Sequence, residues 1–261
     1  MTQTIKEIQT RIKLINDLND PYLETLNVDP RKGVQDLLKR KKKLLLHQAE
    51  LYRAYLERLN FDHQLLTSQN YQFLAGVDEV GRGPIAGPVV AAAVVLPEDT
   101  SDWIEVNDSK ALSHHKRCAL AEVIKQQAKA YAITSLSPST IDRLNIYEAS
   151  RLAMKEAVLK LGVNVDLLAV DAMKLDLKVD QVSLTKGDQK SLSIAAASII
   201  AKVYRDQIMI DYAEQYPEFA FDQHMGYPTK QHLANINKYG FTSIHRQSYG
   251  PVQAVKHYYG S

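Results

Sequence analysis

FLAGVDEVGRGPIAGPVVAAAVVL, residues 73–96, decides the fold. FLAGVD is an apolar run of strand length, GRGPIAGP is a Gly/Pro loop, and VVAAAVVL is a second apolar strand. Working outward, Ser113 to Ala128 has the pattern of a helix, AYAITSL (130–136) that of a strand, and Pro138 to Leu161 that of one or two helices. DLLAVD (166–171) is the kind of run buried on both faces of a sheet. Val182 to Leu184 has short-strand character, Leu192 to about Gln215 is a long helix, and a further helix is expected near Thr229–Lys238 before a Tyr-rich end. Strands interspersed with helices indicate an α/β domain with helices on both sheet faces.

The first quarter of the chain has no strand pattern. Residues 3–18 have the pattern of a short helix, and Asp29–Pro30 has the form of a cap followed by a first-turn proline. Val34, Leu38, Leu45, Ala49, Tyr52, Leu56 and Leu59 then recur near helical period, which predicts a helix about 45 Å long at 1.5 Å per residue. Phe61 to Asn70 has the look of a connection. The expected division is a helical extension over 1–70 and an α/β domain with a C-terminal helical segment over 71–261.

Net charge is +2, which by itself indicates no partner. Its distribution is uneven: residues 1–67 hold 12 Lys/Arg and 9 Asp/Glu, so the extension is +3 and the remainder −1. The densest cluster is Lys39, Arg40, Lys41, Lys42 and Lys43. Such a run suits a polyanion, and equally a solvated helix face. The single cysteine, Cys118, excludes an internal disulfide, fits a reducing compartment, and in the helix KRCALAEVI is expected to pack in the core. The N-terminus lacks the apolar stretch of a secretory signal, and no run of about 18 apolar residues exists to span a membrane. A cytoplasmic monomer is the expectation.

Hydrolysis of a phosphodiester without a nucleophilic side chain commonly uses two Mg²⁺ or Mn²⁺ ions held by carboxylates. Candidate ligands should stand where an apolar element ends. Asp78 and Glu79 follow FLAGV; adjacent strand residues point to opposite faces, so the strand must end or bulge there for both to serve one site. Asp171 follows DLLAV at what should be the sheet's carboxyl edge. Asp206 shares a helix face with Ile199 and Val203, where a carboxylate must be paired or metal-bound. Lys202 and Arg205 are alternative partners for it. No spacing rule joins the four, so the residues alone indicate a candidate metal-dependent hydrolase.

DEVGRGPIAGPV (78–89), NDSKALS (107–113), NIYEAS (145–150), VDA (170–172), KGDQKSLSIAAASIIAKVYRD (186–206) and HMGYPTKQH (224–232) stand in order along the chain. Together they closely resemble the motifs of bacterial ribonuclease HII. HRQSYGPV (245–252) is similar to that family's closing segment, with Tyr249 where Phe is expected. The resemblance implies a ribonuclease H-like fold: a mixed five-stranded sheet flanked by helices, with a C-terminal helical extension. It implies that Asp78, Glu79, Asp171 and Asp206 are the metal ligands and catalytic acids. It implies cleavage of RNA in RNA–DNA hybrids and at single ribonucleotides in duplex DNA, leaving 5′-phosphate and 3′-hydroxyl ends.

By the same resemblance the backbone of Gly81, Arg82 and Gly83 meets the ribose 2′-OH, the group that distinguishes RNA from DNA; read alone, GRGP is a tight turn. Tyr227 is expected against the deoxyribose that follows the ribonucleotide, where the bland reading is a loop aromatic over the core edge. Lys110 and Arg246 are expected to touch phosphates. His114, His115, His224 and His232 are left as structural or product-release groups, because hard cations prefer oxygen. Arg40, Lys41, Lys42 and Lys43 are candidate phosphate contacts, although no motif assigns residues 1–70 a role. Ribonuclease HIII, with similar chemistry, lacks the GRG form of the loop and carries a sheet-forming N-terminal platform, so residues 81–83 and the helical extension favour type HII. A nucleic-acid-binding module that has lost catalysis should lack one of the acids, and none is missing. A junction-resolving or transposase-like nuclease on the same fold is disfavoured by GRG and HMGY.

Overall fold

The apolar runs form one five-stranded sheet in the order β3-β2-β1-β4-β5 in the computed structural model, which describes residues 3–259 and side chains through residue 256. The strands are β1 (Leu74–Val80), β2 (Val89–Val95), β3 (Ala130–Leu136), β4 (Leu167–Asp171) and β5 (Asp180–Leu184). β1 pairs antiparallel with β2, and β2 with β3; β1 pairs parallel with β4, and β4 with β5. This is the mixed five-stranded sheet that the resemblance implied.

Strand alternation sends Ala75 and Val77 of β1 to one face, with Val89, Ala91, Ala93, Leu168 and Val170. There they pack under α6 (Ile146–Leu159) through Ala149, Ala153, Met154 and Ala157. The other face carries α7 (Leu192–Gln215). Small residues let this helix lie directly on β1: Ala195, Ala196 and Ala197 are fully buried, and a Cβ at Gly76 would stand 2.1 Å from the Ser193 carbonyl carbon. α4 (His114–Gln127) packs on α7, and α5 (Pro138–Leu144) precedes α6. A second cluster of Ile85, Met209, Phe219, Phe221, Ile236, Ile244 and Val252 gathers α8 (Phe221–His224), α9 (Lys230–Tyr239) and α10 (Gly250–Tyr259) behind the 81–88 loop.

The chain packs as two units that divide between Leu56 and Glu57. The first contains α1 (Ile5–Leu14), α2 (Pro21–Thr25) and the start of α3 (Lys32–Ser68). Its core is Ile8, Ile12, Ile15, Leu23, Leu26, Val34, Leu38 and Leu45. α1 opens on a capping box in which Thr4 and Glu7 satisfy each other's backbone amides.

Three local expectations are corrected. Asp29–Pro30 does not open the long helix, because the Asp29 carboxylate takes the Arg31 amide and guanidinium and the helix begins at Lys32. The Asp-Pro start lies instead at Asp20–Pro21, where Asp20 accepts from the Tyr22 amide. Phe61 to Asn70 is not a connection: α3 continues to Ser68 because Asp62 accepts from the Ser193 amide at 2.8 Å while Leu65 and Leu66 pack beside Leu74 and Ile194. Cys118 is only half-buried, its thiol 3.5 Å from His114 Nε2 rather than in the core. Among the described residues no helix is long and apolar enough to cross a membrane.

Candidate active site

β1 stays paired with β2 through Val80, but its ladder with β4 stops at Val77 opposite Val170. β4 ends one residue later at Asp171, and Ala172 turns away at φ 51°. The sheet therefore opens between its two central parallel strands. Asp78 and Asp171 follow the last pair, both on the α7 side. Glu79 leaves β1 toward the opposite side by strand alternation, yet stands at the same opening. One carboxylate oxygen from each of Asp78, Glu79 and Asp171 lies within 4.8 Å of the others. Contrary to the expectation from the sequence, the strand neither ends nor bulges at Asp78–Glu79; it runs on to Val80 beside β2, and the release of its β4 edge takes the place of either.

Each acid is fixed by its surroundings. Asp171 Oδ1 accepts from the Gly187 amide at 2.7 Å, and a Cβ at Gly187 would strike Ile194 Cδ1 at 2.6 Å. Asp78 accepts from its neighbour's amide, and the nearby Ser198 hydroxyl of α7, which lies 3.1 Å from the Ser109 hydroxyl, favours its charged form. Glu79 Oε1 is 3.4 Å from Arg82 Nη1, and its Oε2 is buried with no hydrogen-bond partner. Burial, then Glu79 and Asp171, push the Asp78 carboxyl well above the usual range. Burial likewise raises Glu79 to about 7, with Asp171 adding to the rise and Arg82 opposing it. Mutually repelling buried carboxylates with one oxygen unspent suit a hard divalent cation, which favours oxygen ligands and relieves their repulsion.

Asp206 is not gathered with these three. It is 2% exposed, and its oxygens meet Lys202 Nζ at 2.5 Å and Arg117 Nη2 at 3.7 Å. The expectation of a paired or bound carboxylate on the core-facing stripe holds, with Lys202 as the foreseen partner and Arg117 the unforeseen one. Arg117 also donates to the Ser109 carbonyl at 2.5 Å, so α4 and α7 are joined beside the acids.

The Gly81–Gly83 loop leaves β1 directly after the acids. Gly81 has φ 97°, and a Cβ there would stand 2.3 Å from Arg205 Nε, so only glycine fits. Gly83 lies under the half-exposed ring of Tyr227, whose Cε1 would be 3.3 Å from a Cβ. Arg246, expected to touch phosphate, is corrected: it is fully buried. Its guanidinium donates to the carbonyls of Gly81 (2.5 Å), Arg82 (3.1 Å), Gly87 (3.0 Å) and Pro88 (3.2 Å) and to the Tyr249 hydroxyl (3.0 Å). It braces the loop from inside. Arg205, missed as a site residue, does the same for Pro88, Ala86 and Met225. The Tyr249 hydroxyl donates to the Arg82 carbonyl at 2.9 Å, a bond the expected Phe could not make.

Lys110 is exposed beside half-buried Asp188, which burial and the charges of Asp108 and Asp171 raise above its ordinary value. In the first unit, Lys39, Arg40 and Lys43 are exposed, whereas Lys41 and Lys42 are half-buried and donate to the Lys13 carbonyl and the Asn27 side chain. Of the histidines, His114 and His115 are exposed, and His224 and His232 are buried with His245, which sequence reasoning did not single out.

Residues 75–252 match the family model described as Ribonuclease HII, and residues 4–66 that of the Ribonuclease HII N-terminal domain. The chain is 49% identical over 254 residues to "Ribonuclease HII" of Lactobacillus delbrueckii subsp. bulgaricus, covering 96% of each chain. It is 44% identical over 261 residues to "Ribonuclease HII" of Listeria innocua, covering 100% of this chain and 99% of that one. Among solved structures it resembles the ribonuclease H2 of Pyrococcus horikoshii OT3 with a TM-score of 0.64 and 26% identity, over 73% of this chain and 100% of that one.

Proposed function

Since the chain belongs to the ribonuclease HII family, we propose that it cuts the RNA strand of RNA–DNA hybrids and single ribonucleotides embedded in duplex DNA. On this reading the scissile phosphate lies 5′ to a ribonucleotide, and the products carry 5′-phosphate and 3′-hydroxyl ends. The observation that carries the proposal is the juxtaposition at one sheet opening of three converging carboxylates and, directly after them, a glycine loop under an exposed tyrosine ring.

Asp78, Glu79 and Asp171 hold the divalent cations, Mg²⁺ or Mn²⁺, with two expected when substrate is bound. A cation there supplies a Lewis acid for the phosphate oxygens and lowers the pKa of water. Asp206 completes the set of acids on this reading, and to do so its oxygen must leave Lys202. Arg246 occupies the carbonyls of Gly81 and Arg82, so the loop's amides are its unspent donors toward a ribose 2′-OH. Tyr227 offers its ring to the next sugar, where a deoxyribose leaves room. Lys110 stands free to meet a phosphate, and the exposed cations of the 39–43 run add sequence-independent phosphate contacts from the helical extension over 1–70, with hydrolysis left to 71–261.

The test is cleavage of a DNA duplex carrying one ribonucleotide, with Mg²⁺, Mn²⁺ or EDTA, beside the same duplex in DNA alone. Asp78→Asn and Asp171→Asn should abolish cutting while duplex binding persists. Tyr227→Ala should weaken cutting at the single ribonucleotide more than it weakens metal binding. Activity in EDTA or in either Asn variant removes the metal assignment, and equal cutting of the DNA-only duplex removes the ribose reading.

A further inference from the structure

The two sugar-reading elements come from distant parts of the chain. The 81–83 loop follows β1, and Tyr227 precedes α9. One dipeptide, His245–Arg246, holds both. Its main chain is stitched to the loop: the Arg246 amide donates to the Ile85 carbonyl at 2.8 Å, and the Gly87 amide to the Ile244 carbonyl at 2.8 Å. The Ile85 amide in turn donates at 2.9 Å to Gly226, the residue before Tyr227. From this crossing the Arg246 side chain runs to the Gly81 and Arg82 carbonyls, and the His245 side chain runs the other way.

The protons along the His245 branch are dictated by their partners. The Thr242 amide can only donate, and it meets His245 Nδ1 at 2.9 Å. His245 therefore carries its proton on Nε2, which lies 3.0 Å from His232 Nε2. His232 must accept there, so its own proton sits on Nδ1, 2.8 Å from the Tyr227 carbonyl. The relay fixes one tautomer at each ring, and it ends on the backbone of the tyrosine whose ring covers Gly83. His232 and His245 are 0% and 1% exposed, with Phe219 and Phe221 packed against both rings, so water has no access to replace a missing link.

We propose that His245, acting through His232, is a positioning residue for Tyr227, and that with Arg246 it sets the gap that selects a ribose followed by a deoxyribose over a ribose followed by another ribose. The inference rests on the ribonuclease reading above and names what holds its selectivity. Neither histidine touches substrate; both act through Tyr227. A change here moves the ring relative to a loop that Arg246 continues to hold.

The experiment reads a ratio: kcat/KM on duplex DNA with one ribonucleotide, divided by kcat/KM on a continuous RNA–DNA hybrid. His245→Asn keeps an acceptor for Thr242 but does not reach His232; His245→Gln returns an N–H at the reach of Nε2. His232→Asn keeps an N–H facing the Tyr227 carbonyl but, like His245→Asn, breaks the link between the two positions; His232→Leu loses both contacts. The ratio should fall about tenfold in His245→Asn, His232→Asn and His232→Leu, the equivalent of one buried hydrogen bond left unmade, and stay near the parent value in His245→Gln. Proportional losses on both substrates that track falling thermal stability overturn the inference, because that is what a purely structural role produces. Two substitution pairs at different residues keep the test open if one variant fails to fold. A parent enzyme that does not cut at ribonucleotides defeats the underlying reading; a discriminating parent whose ratio survives all four substitutions defeats this inference alone.

Discussion

Gly76→Ala perturbs the frame on which the acids stand. A Cβ at this position would lie 2.1 Å from the Ser193 carbonyl carbon, 2.3 Å from the Ile194 nitrogen and 2.5 Å from the Ser193 oxygen. All three are main-chain atoms, so no rotamer change relieves the clash. β1 and α7 must part by about 1.3 Å to reach the 3.4 Å where ordinary contact begins, and a core this close-packed resists the movement. Overpacking a core by a methyl group costs roughly 1–3 kcal/mol when side chains can yield; against backbone the cost should be about 3 kcal/mol or more. For a unit of this size that lowers Tm by about 6–12 °C. The displaced helix carries Ser198, so its support of the charged Asp78 carboxylate should weaken and Mn²⁺ affinity should fall with Tm. Gly250→Ala is the matched control, because a Cβ there meets nothing within 4 Å. Thermal melts of both variants, with and without Mn²⁺, decide the matter. A Gly76→Ala melt within about 2 °C of the parent would refute the close-approach argument.

Three further outcomes are expected. Because Glu79 is raised to about 7 by burial and Asp171, cation binding near pH 6.5 should expel a proton; calorimetric titration with Mn²⁺ in buffers of different ionisation enthalpy measures it, release should diminish by pH 8.5, and buffer-independent heats at pH 6.5 would contradict the assignment. Burial lowers His232 to about 4 and His245 to about 3, so below pH 6.5 the unfolded chain takes up protons that the folded one refuses, and stability falls with pH. Asp62, raised by burial to about 6, pulls the other way, so the informative quantity is a difference: between pH 6.5 and 4.5 the parent should lose roughly 2 kcal/mol more than His245→Gln in urea titrations, and identical losses would show that His245 titrates normally in the fold. Changing Arg40, Lys41, Lys42 and Lys43 to Gln should weaken duplex binding and flatten its log–log salt dependence with turnover at saturation nearly unchanged, whereas an unaltered slope returns the run to a solvated surface.

What the sequence made legible follows from how local the determinants are. β3 and α7 lie where the pattern placed them because their signals are self-contained: a run of strand formers in one case, an apolar helix capped by Ser191 in the other. Asp78, Glu79 and Asp171 were recognisable because each closes an apolar run, and the opening that gathers them is simply where β4 ends before β1 does. Asp206 was harder. Its place on a buried stripe was visible, but its partner Arg117 comes from another helix, and no spacing encodes that meeting. Arg246 misled and Arg205 escaped notice for a related reason: their acceptors are backbone carbonyls, which any residue type supplies, so nothing in one dimension marks a buried brace. The extension of α3 through Phe61–Ser68 escaped notice because its supports, the Ser193 amide and the cluster around Leu74, lie far along the chain.

That extension also determines where the protein can be cut. A shortened chain beginning at residue 71 would appear to remove only the helical extension, yet it would delete Arg58 and Asp62 with it. Arg58 donates to the Val106 carbonyl at 2.9 Å and the Asn107 side chain at 3.2 Å, directly ahead of Ser109 and Lys110. Asp62 satisfies an amide at the start of the helix that bears Ser198 and Asp206. Such a truncation bares a buried amide and carbonyl and frees the Asn107 loop, so its lost activity would be misread as evidence that the extension binds substrate. A cut just before Glu57 keeps those two anchors in place and separates the question of what the first unit recognises from the question of what keeps the second one whole.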